Sequence, residues 1–272
     1  MKPPWTAVIG FPVAHSLSPA IFRLFARDLG RPVRYRAIPV PPESLAEALR
    51  RARTRPWLGW NVTMPHKTAA ARLLDRLHPS AQAAGAVNVV HFQGGRAMGY
   101  NTDADGFLAP LVRRGIGLAG RTAVVFGAGG AAAAVCEALK RSAAARLVVA
   151  DRTPSKAAAL ARRFGAEAAS LEPAAVAVAL AGADILVNAT SAGEAALLPP
   201  GLRLKAGAWA CDLAYRPSRT RFMTDARAAG AEVLGGIEML AAQAALTWSI
   251  WFGEAVPDRV VESAVEELRR VP

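Results

Sequence analysis

The chain has 272 residues, a formal net charge of +12 and a hydrophobic content of 53%, to which 61 alanines contribute heavily. That apolar content excludes a disordered chain. No run of about 18 apolar residues occurs, so the sequence predicts no membrane-spanning helix.

Arginine supplies most of the positive charge, with 28 of the 33 basic residues. The arginines are spread along the chain, mostly near the ends of predicted helices, where cations interact favourably with the helix dipole. A nucleic-acid-binding protein would cluster its basic residues on one face and interleave aromatic residues. We therefore expect small anionic ligands as partners, and no nucleic acid.

The two cysteines, Cys136 and Cys211, lie in apolar stretches and are interpreted as small buried hydrophobic residues. Neither they nor the four histidines have the spacing of metal ligands, so we expect no metal site. Residues 1–5 contain no apolar h-region of a signal peptide, which favours a cytoplasmic protein. No sequence pattern distinguishes a monomer from a homodimer.

Strand-like and helix-like segments alternate in the first part of the chain. Residues 7–9 predict a strand, and the helix after it is expected to have Ser18 as its cap and Pro19 in its first turn. Further strands are predicted at 33–40, 57–63, 86–92 and 97–100, and further helices at 42–53 and 65–77.

The second part begins with a predicted helix at 103–114, followed by a continuous apolar run at 122–126 that is typical of a buried parallel strand. Short buried strands are predicted at 147–150, 185–187, 209–213 and 232–234, and helices at 154–164, 237–252 and 258–270. The alternation indicates two α/β domains, the second a doubly wound parallel sheet, with the last helices returning to the first domain.

A glycine-rich loop follows the strand at 122–126. Gly127, Gly129 and Ala132 fit the dinucleotide fingerprint with alanine in its third position. The first glycine permits a tight turn, the second lets the backbone approach a pyrophosphate, and the small third residue permits close helix packing. The strand before the loop and the helix after it favour a dinucleotide site.

Acidic and basic residues follow the next predicted strand. Asp151 could accept hydrogen bonds from a ribose 2′-hydroxyl, which favours NAD, whereas Arg152 and Lys156 suit the 2′-phosphate of NADP. On balance we predict NADP, with NAD as the alternative.

Polar side chains also gather at the predicted strand ends of the first domain. Lys67 lies at a predicted helix start, where its charge opposes the helix dipole, so its position requires another reason. Open α/β sheets build their sites at such strand ends. The other polar residues in these places are Ser16, Ser18, Asn61, Thr63, Asn88, Asn101, Thr102 and Asp103.

Over essentially its whole length the sequence resembles the shikimate dehydrogenase family, NADP-dependent enzymes of aromatic biosynthesis. Several motifs in the family's order carry the resemblance, and any one alone would be weak. They are HSLSP at 15–19, NVTMPHK at 61–67, GAVN at 85–88, NTD at 101–103, GAGGAA at 127–132, NATSAG at 188–193, DLAYRP at 212–217 and GIEMLAAQ at 236–243.

The resemblance implies a substrate-binding and catalytic domain at 1–103 plus 238–272, a Rossmann-type NADP-binding domain at 104–237, and a cleft between them. Family matching places Lys67 and Asp103 as the catalytic pair. Substrate-binding positions are Ser16, Ser18, Asn61, Thr63, Lys67, Asn88, Asp103, Tyr215 and Gln243. Family matching gives these cofactor-binding positions: Gly127, Ala128, Gly129, Gly130, Ala131, Arg152, Thr153, Thr190, Ser191, Leu213 and Gly236. The residue patterns described above add Asp151 and Lys156.

The implied activity is reversible, NADPH-dependent reduction of 3-dehydroshikimate to shikimate, a step of chorismate and aromatic amino acid biosynthesis. Reduction of the 3-keto group requires a hydride and a proton for the developing alkoxide. A Lys67 ammonium is suited to stabilise that charge and donate the proton, and the Asp103 carboxylate would favour the charged lysine.

Three residues depart from the family's usual pattern. Asp151 stands where asparagine is common, so an NAD-dependent quinate/shikimate dehydrogenase stays open; Val89 stands where threonine is usual. Glu238 takes the place of a smaller residue near the nicotinamide, and we expect its side chain to face solvent.

The histidines in the matched motifs, His15 and His66, are interpreted as structural hydrogen-bonding residues. A non-catalytic dinucleotide-binding sensor on the same fold is the alternative from another class. The Lys67–Asp103 pair argues against it, because a sensor needs no acid–base group beside a polyol pocket.

Overall fold

The computed structural model describes residues 2–190, 196–217 and 219–270. The chain divides into two compact units, Met1–Gly106 with Leu240–Pro272, and Phe107–Met239. Among the described residues, no helix combines the length and the apolar character needed to cross a bilayer.

The strands of the described residues are β1 (Trp5–Gly10), β2 (Arg34–Pro39), β3 (Trp57–Val62), β4 (Arg76–Leu77), β5 (Val89–Gln93), β6 (Arg96–Tyr100), β7 (Thr122–Phe126), β8 (Arg146–Ala150), β9 (Glu167–Ala169), β10 (Ile185–Asn188), β11 (Trp209–Asp212) and β12 (Glu232–Leu234). The helices are α1 (Ser18–Asp28), α2 (Leu45–Ala52), α3 (Lys67–Ala71), α4 (Pro79–Ala84), α5 (Asp103–Arg113), α6 (Gly130–Arg141), α7 (Pro154–Phe164), α8 (Pro173–Leu180), α9 (Arg221–Ala228), α10 (Gly236–Phe252) and α11 (Asp258–Arg269).

The sheet of the first unit is mixed, with strand order β2-β1-β3-β5-β6-β4. Strands β1, β2 and β3 run parallel, while β5 is antiparallel to both β3 and β6. The antiparallel pair β5–β6 is a hairpin that turns at Gly94 and Gly95, both of which have positive φ. This arrangement brings the ends of β1 and β3 and the start of β5 together at one edge.

Aromatic side chains fill much of the core of the first unit. Phe22 of α1 stacks on Tyr35 with ring centroids 4.4 Å apart and lies 5.3 Å from the ring of Trp251 in α10. Along the sheet, Trp57 and Trp60 meet edge to face at 5.5 Å. Such pairs contribute roughly 0.5–1.5 kcal/mol each beyond the apolar area they bury.

Two predictions for the first unit were wrong. The helix predicted at 65–77 ends at Ala71, and residues Arg76–Leu77 instead form β4, which pairs with β6. Leu17, not Ser18, is the N-cap residue of α1, and no side chain caps that helix. Helix α4, which Pro79 begins, was not predicted.

The sheet of the second unit is entirely parallel, with strand order β12-β11-β10-β7-β8-β9. In chain order this is the 3-2-1-4-5-6 arrangement of the Rossmann fold, and its switch point lies between β7 and β10. The register aligns the last residues of the four central strands in one row: Ala150, Phe126, Asn188 and Asp212. The loops that leave this row therefore share one edge of the sheet.

The central strands form at the predicted places, and β7, β12 and α7 have the predicted bounds. Strand β9 and helix α8 were not predicted. Cys136 and Cys211 are free and buried, which confirms their interpretation as core residues. Burial raises the pKa of both thiols to about 12, so both stay protonated and unreactive at neutral pH.

Candidate active site

Lys67 and Asp103 form an ion pair in the first unit. Lys67 begins α3 after β3, Asp103 begins α5 after β6, and Lys67 Nζ lies 2.6 Å from Asp103 Oδ2. The lysine side chain is 18% exposed and the aspartate 6%. The pair explains why a cation is tolerated at a helix start, since the carboxylate compensates for the dipole.

Asn88 fixes the second oxygen of that carboxylate. Its Nδ2 donates to Asp103 Oδ1 at 2.8 Å and to Thr102 Oγ1 at 2.9 Å, and its Oδ1 accepts from Thr102 N at 2.8 Å. Asp103 N in turn donates to Asn101 Oδ1 at 3.0 Å. The NTD motif thus folds around Asn88 and holds the carboxylate in one orientation.

Gln243 of α10 joins the same network. Its Oε1 lies 3.4 Å from Asn88 Nδ2 and 3.5 Å from Thr102 Oγ1, and its Nε2 donates to Leu240 O at 2.8 Å. A Cβ at Gly106 would lie 2.7 Å from Gln243 Cβ, so glycine there permits this close approach of α5 and α10.

Asn61, at the end of β3, has partners on both ends of its amide. Its Oδ1 accepts from the Tyr35 hydroxyl at 2.7 Å, and its Nδ2 lies 3.3 Å from both Asn88 O and Thr247 Oγ1. The bond from Tyr35 fixes which way the amide points. The fold therefore brings together five of the predicted site residues: Asn61, Asn88, Lys67, Asp103 and Gln243.

Ser16 and Ser18 lie where the chain turns into α1. Ser16 Oγ accepts from Ser18 N at 3.2 Å, so Ser16 stabilises the turn that precedes α1. Ser18 is buried, and Thr63 follows β3 half-buried. His66 Nε2 donates to Val40 O at 2.7 Å, which confirms a structural role for this histidine.

In the second unit, the glycine loop connects β7 to α6. Gly127 has φ of +108°, a conformation that favours glycine, and a Cβ there would lie 3.0 Å from Ala189 O. A Cβ at Gly129 would meet nothing within 4 Å, so the space beside the N-terminus of α6 is open. An open helix N-terminus with a glycine backbone fits the pyrophosphate of a dinucleotide. Ala128 belongs to the loop, Gly130 and Ala131 begin α6, and all three are half-buried.

The loop after β8 carries the residues predicted to choose between NAD and NADP. Asp151 Oδ1 accepts from Thr153 N at 2.8 Å, so the carboxylate shapes the turn that leads into α7. Arg152 and Lys156 are exposed. The donors present, two cations and a helix N-terminus, suit a phosphate at this corner.

The loops after β10 and β11 also border the aligned strand ends. Thr190 N and Oγ1 donate to Asn188 Oδ1, and Leu213 N donates to Asn188 O. A Cβ at Gly236 would lie 2.5 Å from Leu213 O, so this position requires glycine. Tyr215 is half-buried in the second unit, and Ser191 lies outside the described residues.

The prediction that Glu238 faces solvent was wrong. Glu238 is 7% exposed, and it forms a two-pronged ion pair with Arg114, with Nη1–Oε2 of 2.6 Å and Nη2–Oε1 of 2.8 Å. Arg114 Nη1 also donates to Pro110 O. The ion pair links the first turn of α10 to Arg114, the residue that follows α5.

The sequence did not indicate Tyr35, Thr247 or Asp212 as site residues, and it indicated Thr102 only as a polar residue at a strand end. Thr102 stands inside the NTD motif and Asp212 begins the DLAYRP motif, so the motifs contained a signal for both. Tyr35 and Thr247 reach Asn61 from β2 and α10, and only the fold brings them there.

The second unit defines a member of the Rossmann class of dinucleotide-binding folds, by its strand order and its glycine loop. Three family models match the chain: the shikimate dehydrogenase substrate binding domain over residues 8–90, shikimate/quinate 5-dehydrogenase over 111–200, and the shikimate 5′-dehydrogenase C-terminal domain over 236–266.

A shikimate dehydrogenase (NADP(+)) of Thermus thermophilus is 46% identical over 97% of both chains. A crystal structure of shikimate 5-dehydrogenase from the same species, in complex with NADP(H) and shikimate, superposes with a TM-score of 0.87 at 42% identity, covering 97% of this chain and 99% of that one. A ligand-free 5-ketofructose reductase of Gluconobacter is 31% identical, with a TM-score of 0.83 over 98% and 99% of the two chains. The chain belongs to the shikimate dehydrogenase family.

Proposed function

We propose that the protein is an NADP-dependent dehydrogenase that interconverts 3-dehydroshikimate and shikimate, the step of chorismate and aromatic amino acid biosynthesis. The single observation that carries this proposal is the Lys67–Asp103 ion pair, held by Asn88 and Gln243 in one hydrogen-bonded network. The names of the curated relatives support the substrate and the cofactor.

In this proposal the first unit binds substrate and carries the catalytic pair. An ammonium has three N–H donors, and the bond to Asp103 uses one of them. Lys67 stabilises the oxyanion at C3 during reduction and donates its proton there; in the reverse direction it accepts that proton. The Asp103 carboxylate accepts a hydrogen bond from Lys67 Nζ and so fixes the direction of the lysine side chain. In this unit, Ser16, Ser18, Asn61, Thr63, Asn88 and Gln243 are assigned to the substrate carboxylate and hydroxyls. Tyr215, a residue of the second unit, keeps its substrate-binding assignment from the family resemblance.

The second unit binds the cofactor. When bound, NADPH supplies the hydride for the 3-keto group. The glycine loop Gly127–Ala131 and the N-terminus of α6 hold the pyrophosphate, and Arg152, Thr153 and Lys156 hold the 2′-phosphate. Thr190, Leu213 and Gly236 are further cofactor-binding positions in this proposal. Ser191, outside the described residues, keeps that assignment from the family resemblance alone.

Asp151 is the residue that favours the NAD-dependent alternative. Because one of its oxygens accepts from Thr153 N, its first role in our proposal is to shape the Arg152 turn, and asparagine in relatives could accept the same bond. We therefore place NADP ahead of NAD.

The test is absorbance of the reduced nicotinamide, with shikimate or quinate as substrate and NADP⁺ or NAD⁺ as acceptor. We expect the highest kcat/KM with shikimate and NADP⁺. Preference for quinate, or for NAD⁺, would replace the proposal with the quinate/shikimate alternative. No turnover in any of the four mixtures would support the sensor.

A further inference from the structure

A second buried carboxylate, that of Asp212, lies at the edge of the second sheet where the strand ends are aligned. Asp212 is the last residue of β11, pairs in register with Asn188, and is 1% exposed. A buried charge is costly unless hydrogen bonds compensate for it. The hydrogen-bond donors around Asp212 therefore show how the cost of burying its carboxylate is compensated.

Neutral donors surround the Asp212 carboxylate. Oδ1 accepts from Asn188 Nδ2 at 3.1 Å and from Ala214 N at 2.9 Å, and Oδ2 accepts from Asn188 Nδ2 at 3.2 Å and from Thr220 Oγ1 at 2.6 Å. Burial raises the pKa of this carboxyl above its ordinary value, against the lowering effect of these donors. The group thus joins three segments of chain.

On one side the network leads to the glycine loop. Asn188, oriented by Asp212, accepts at its Oδ1 from both Thr190 N, at 3.0 Å, and Thr190 Oγ1, at 2.7 Å. The backbone of Ala189 and Thr190 lies against Gly127, whose Cβ would approach Ala189 O to 3.0 Å and Thr190 N to 3.2 Å. The position of the Ala189 and Thr190 backbone therefore limits the conformations that the glycine loop can adopt.

On the other side the network leads to Gly236. Asp212 holds Ala214 N, and the carbonyls of Leu213 and Ala214 lie 2.5 Å and 2.7 Å from where a Gly236 Cβ would be. Gly236 N donates to Ala214 O at 3.3 Å. Thr220, which donates to Asp212, also caps α9 by accepting from Met223 N.

We propose that Asp212 is a positioning residue for NADP(H): through Asn188 and Ala214 it sets the loops after β10 and β11 against Gly127 and Gly236, and so shapes the cofactor site without touching the cofactor. This inference rests on the proposed function, because it assigns a task in that same site.

The test is titration of the free protein with NADPH, followed by nicotinamide fluorescence, for wild type and Asp212→Asn. Asparagine has nearly the same shape as aspartate, but its NH₂ group replaces one acceptor oxygen. That NH₂ group then faces a donor, either Asn188 Nδ2 or Ala214 N. We expect a dissociation constant for NADPH about tenfold higher, as for loss of a hydrogen bond to a charged group. Circular dichroism and thermal unfolding of each variant establish that it is folded.

The reciprocal variant, Asn188→Asp combined with Asp212→Asn, restores a donor facing an acceptor. If Asp212 acts by orienting Asn188, this double variant regains most of the NADPH affinity, and a double-mutant cycle shows coupling. A folded Asp212→Asn protein that binds NADPH within about twofold of wild type overturns the inference. So does a double variant no better than the weaker single one.

Thr220 provides a second route if Asp212→Asn does not fold. Thr220→Val removes the donor to Asp212 Oδ2, whereas Thr220→Ser keeps both the donor and the cap. We expect about a threefold weaker NADPH affinity in the valine variant and no change in the serine variant. Equal affinities overturn the inference. Wild-type protein that fails to bind NADPH contradicts the proposed function instead, so the two failures are distinct.

Discussion

Each unit of the molecule carries its own set of candidate site residues, and the two sets differ in what forms them. In the first, side chains form the site: a charged pair, Lys67 and Asp103, is fixed by amides and a threonine. In the second, the backbone forms it: Gly127, Gly129 and Gly236 leave room for close approach, and buried polar side chains hold the loops in place.

The difference follows from what each unit is proposed to bind. A polyol acid presents hydroxyls that only matched side-chain donors and acceptors can distinguish from water. A pyrophosphate presents charge that backbone N–H groups and a helix N-terminus bind well. Substitutions should therefore affect chemistry in the first unit and affinity for the cofactor in the second.

The largest effect is expected for Lys67→Ala. Removing the proton donor should lower kcat about 10³-fold, the middle of the range for a general acid. NADPH affinity, measured by fluorescence, should stay near that of wild type. Lys156→Ala is the matched control, since it removes a lysine of the second unit and should raise KM for NADP⁺ while kcat is retained. Turnover near wild type in Lys67→Ala would remove the catalytic assignment.

Next come two glycine-to-alanine variants of the same loop. Gly127→Ala places a Cβ at positive φ against Ala189 O, so we expect about 1–3 kcal/mol lower stability together with weaker NADPH binding. Gly129→Ala puts a Cβ into open space, so stability should change by less than about 0.5 kcal/mol while NADPH binding still weakens. Unfolding midpoints and NADPH titration measure both. Unchanged affinity in Gly129→Ala would show that the loop is merely a structural turn.

A smaller effect is expected for Asp151→Asn. Asparagine can still accept from Thr153 N, so the turn persists, while one negative charge leaves the corner assigned to the 2′-phosphate. The ratio of kcat/KM for NADP⁺ over NAD⁺ should rise about fivefold at low salt and less at high salt. Asp151→Ala, which loses the turn, should not show this gain. A falling ratio would mean that the carboxylate itself supports NADP.

The smallest effect concerns stability against pH, where the two buried aspartates of the second sheet should behave oppositely. Asp184, just before β10, is also buried, which raises its pKa, but Lys205, Thr122 N and Arg121 outweigh burial and leave the pKa below its ordinary value. Its stabilisation is present above about pH 4, near the unfolded pKa of about 3.9, and is lost as pH falls through the folded pKa.

Asp212 has a raised pKa, so its folded state binds more protons than the unfolded state, and its contribution to stability declines as pH rises through that interval. Urea unfolding between about pH 3 and 7 should therefore give a shallower rise of stability with pH in Asp184→Asn and a steeper one in Asp212→Asn. The two slopes should differ by about 1 kcal/mol over the range. Slopes that change in the same direction would contradict the contrast between the two ends of the sheet.

The sequence predicted the parts of the molecule that local pattern determines. A continuous apolar run located β7, and the proline and glycine around α7 located its ends. The helix predicted at 65–77 was too long because Leu73, Leu74 and Leu77 continue a helical spacing of apolar residues beyond Ala71. Strand β4 forms there instead because it pairs with β6.

The site shows the same division. Motifs located Lys67, Asp103, Asn88 and Gln243, and the structure joins all four. The partner of Glu238 could not be predicted, since Arg114 lies 124 residues away in the chain. The role we propose for Asp212 also depends on the register of β10 and β11. The amino-acid sequence alone does not give that register.

The tryptophan pairs of the first sheet have a spectroscopic consequence. Of the six tryptophans, Trp5, Trp57, Trp60, Trp248 and Trp251 belong to the first unit, and Trp209 belongs to the second. Intrinsic emission is therefore weighted strongly towards one half of the molecule. An unfolding curve recorded by that emission follows mainly the first unit, whereas circular dichroism follows both, and a gap between the two curves would measure how independently the units melt.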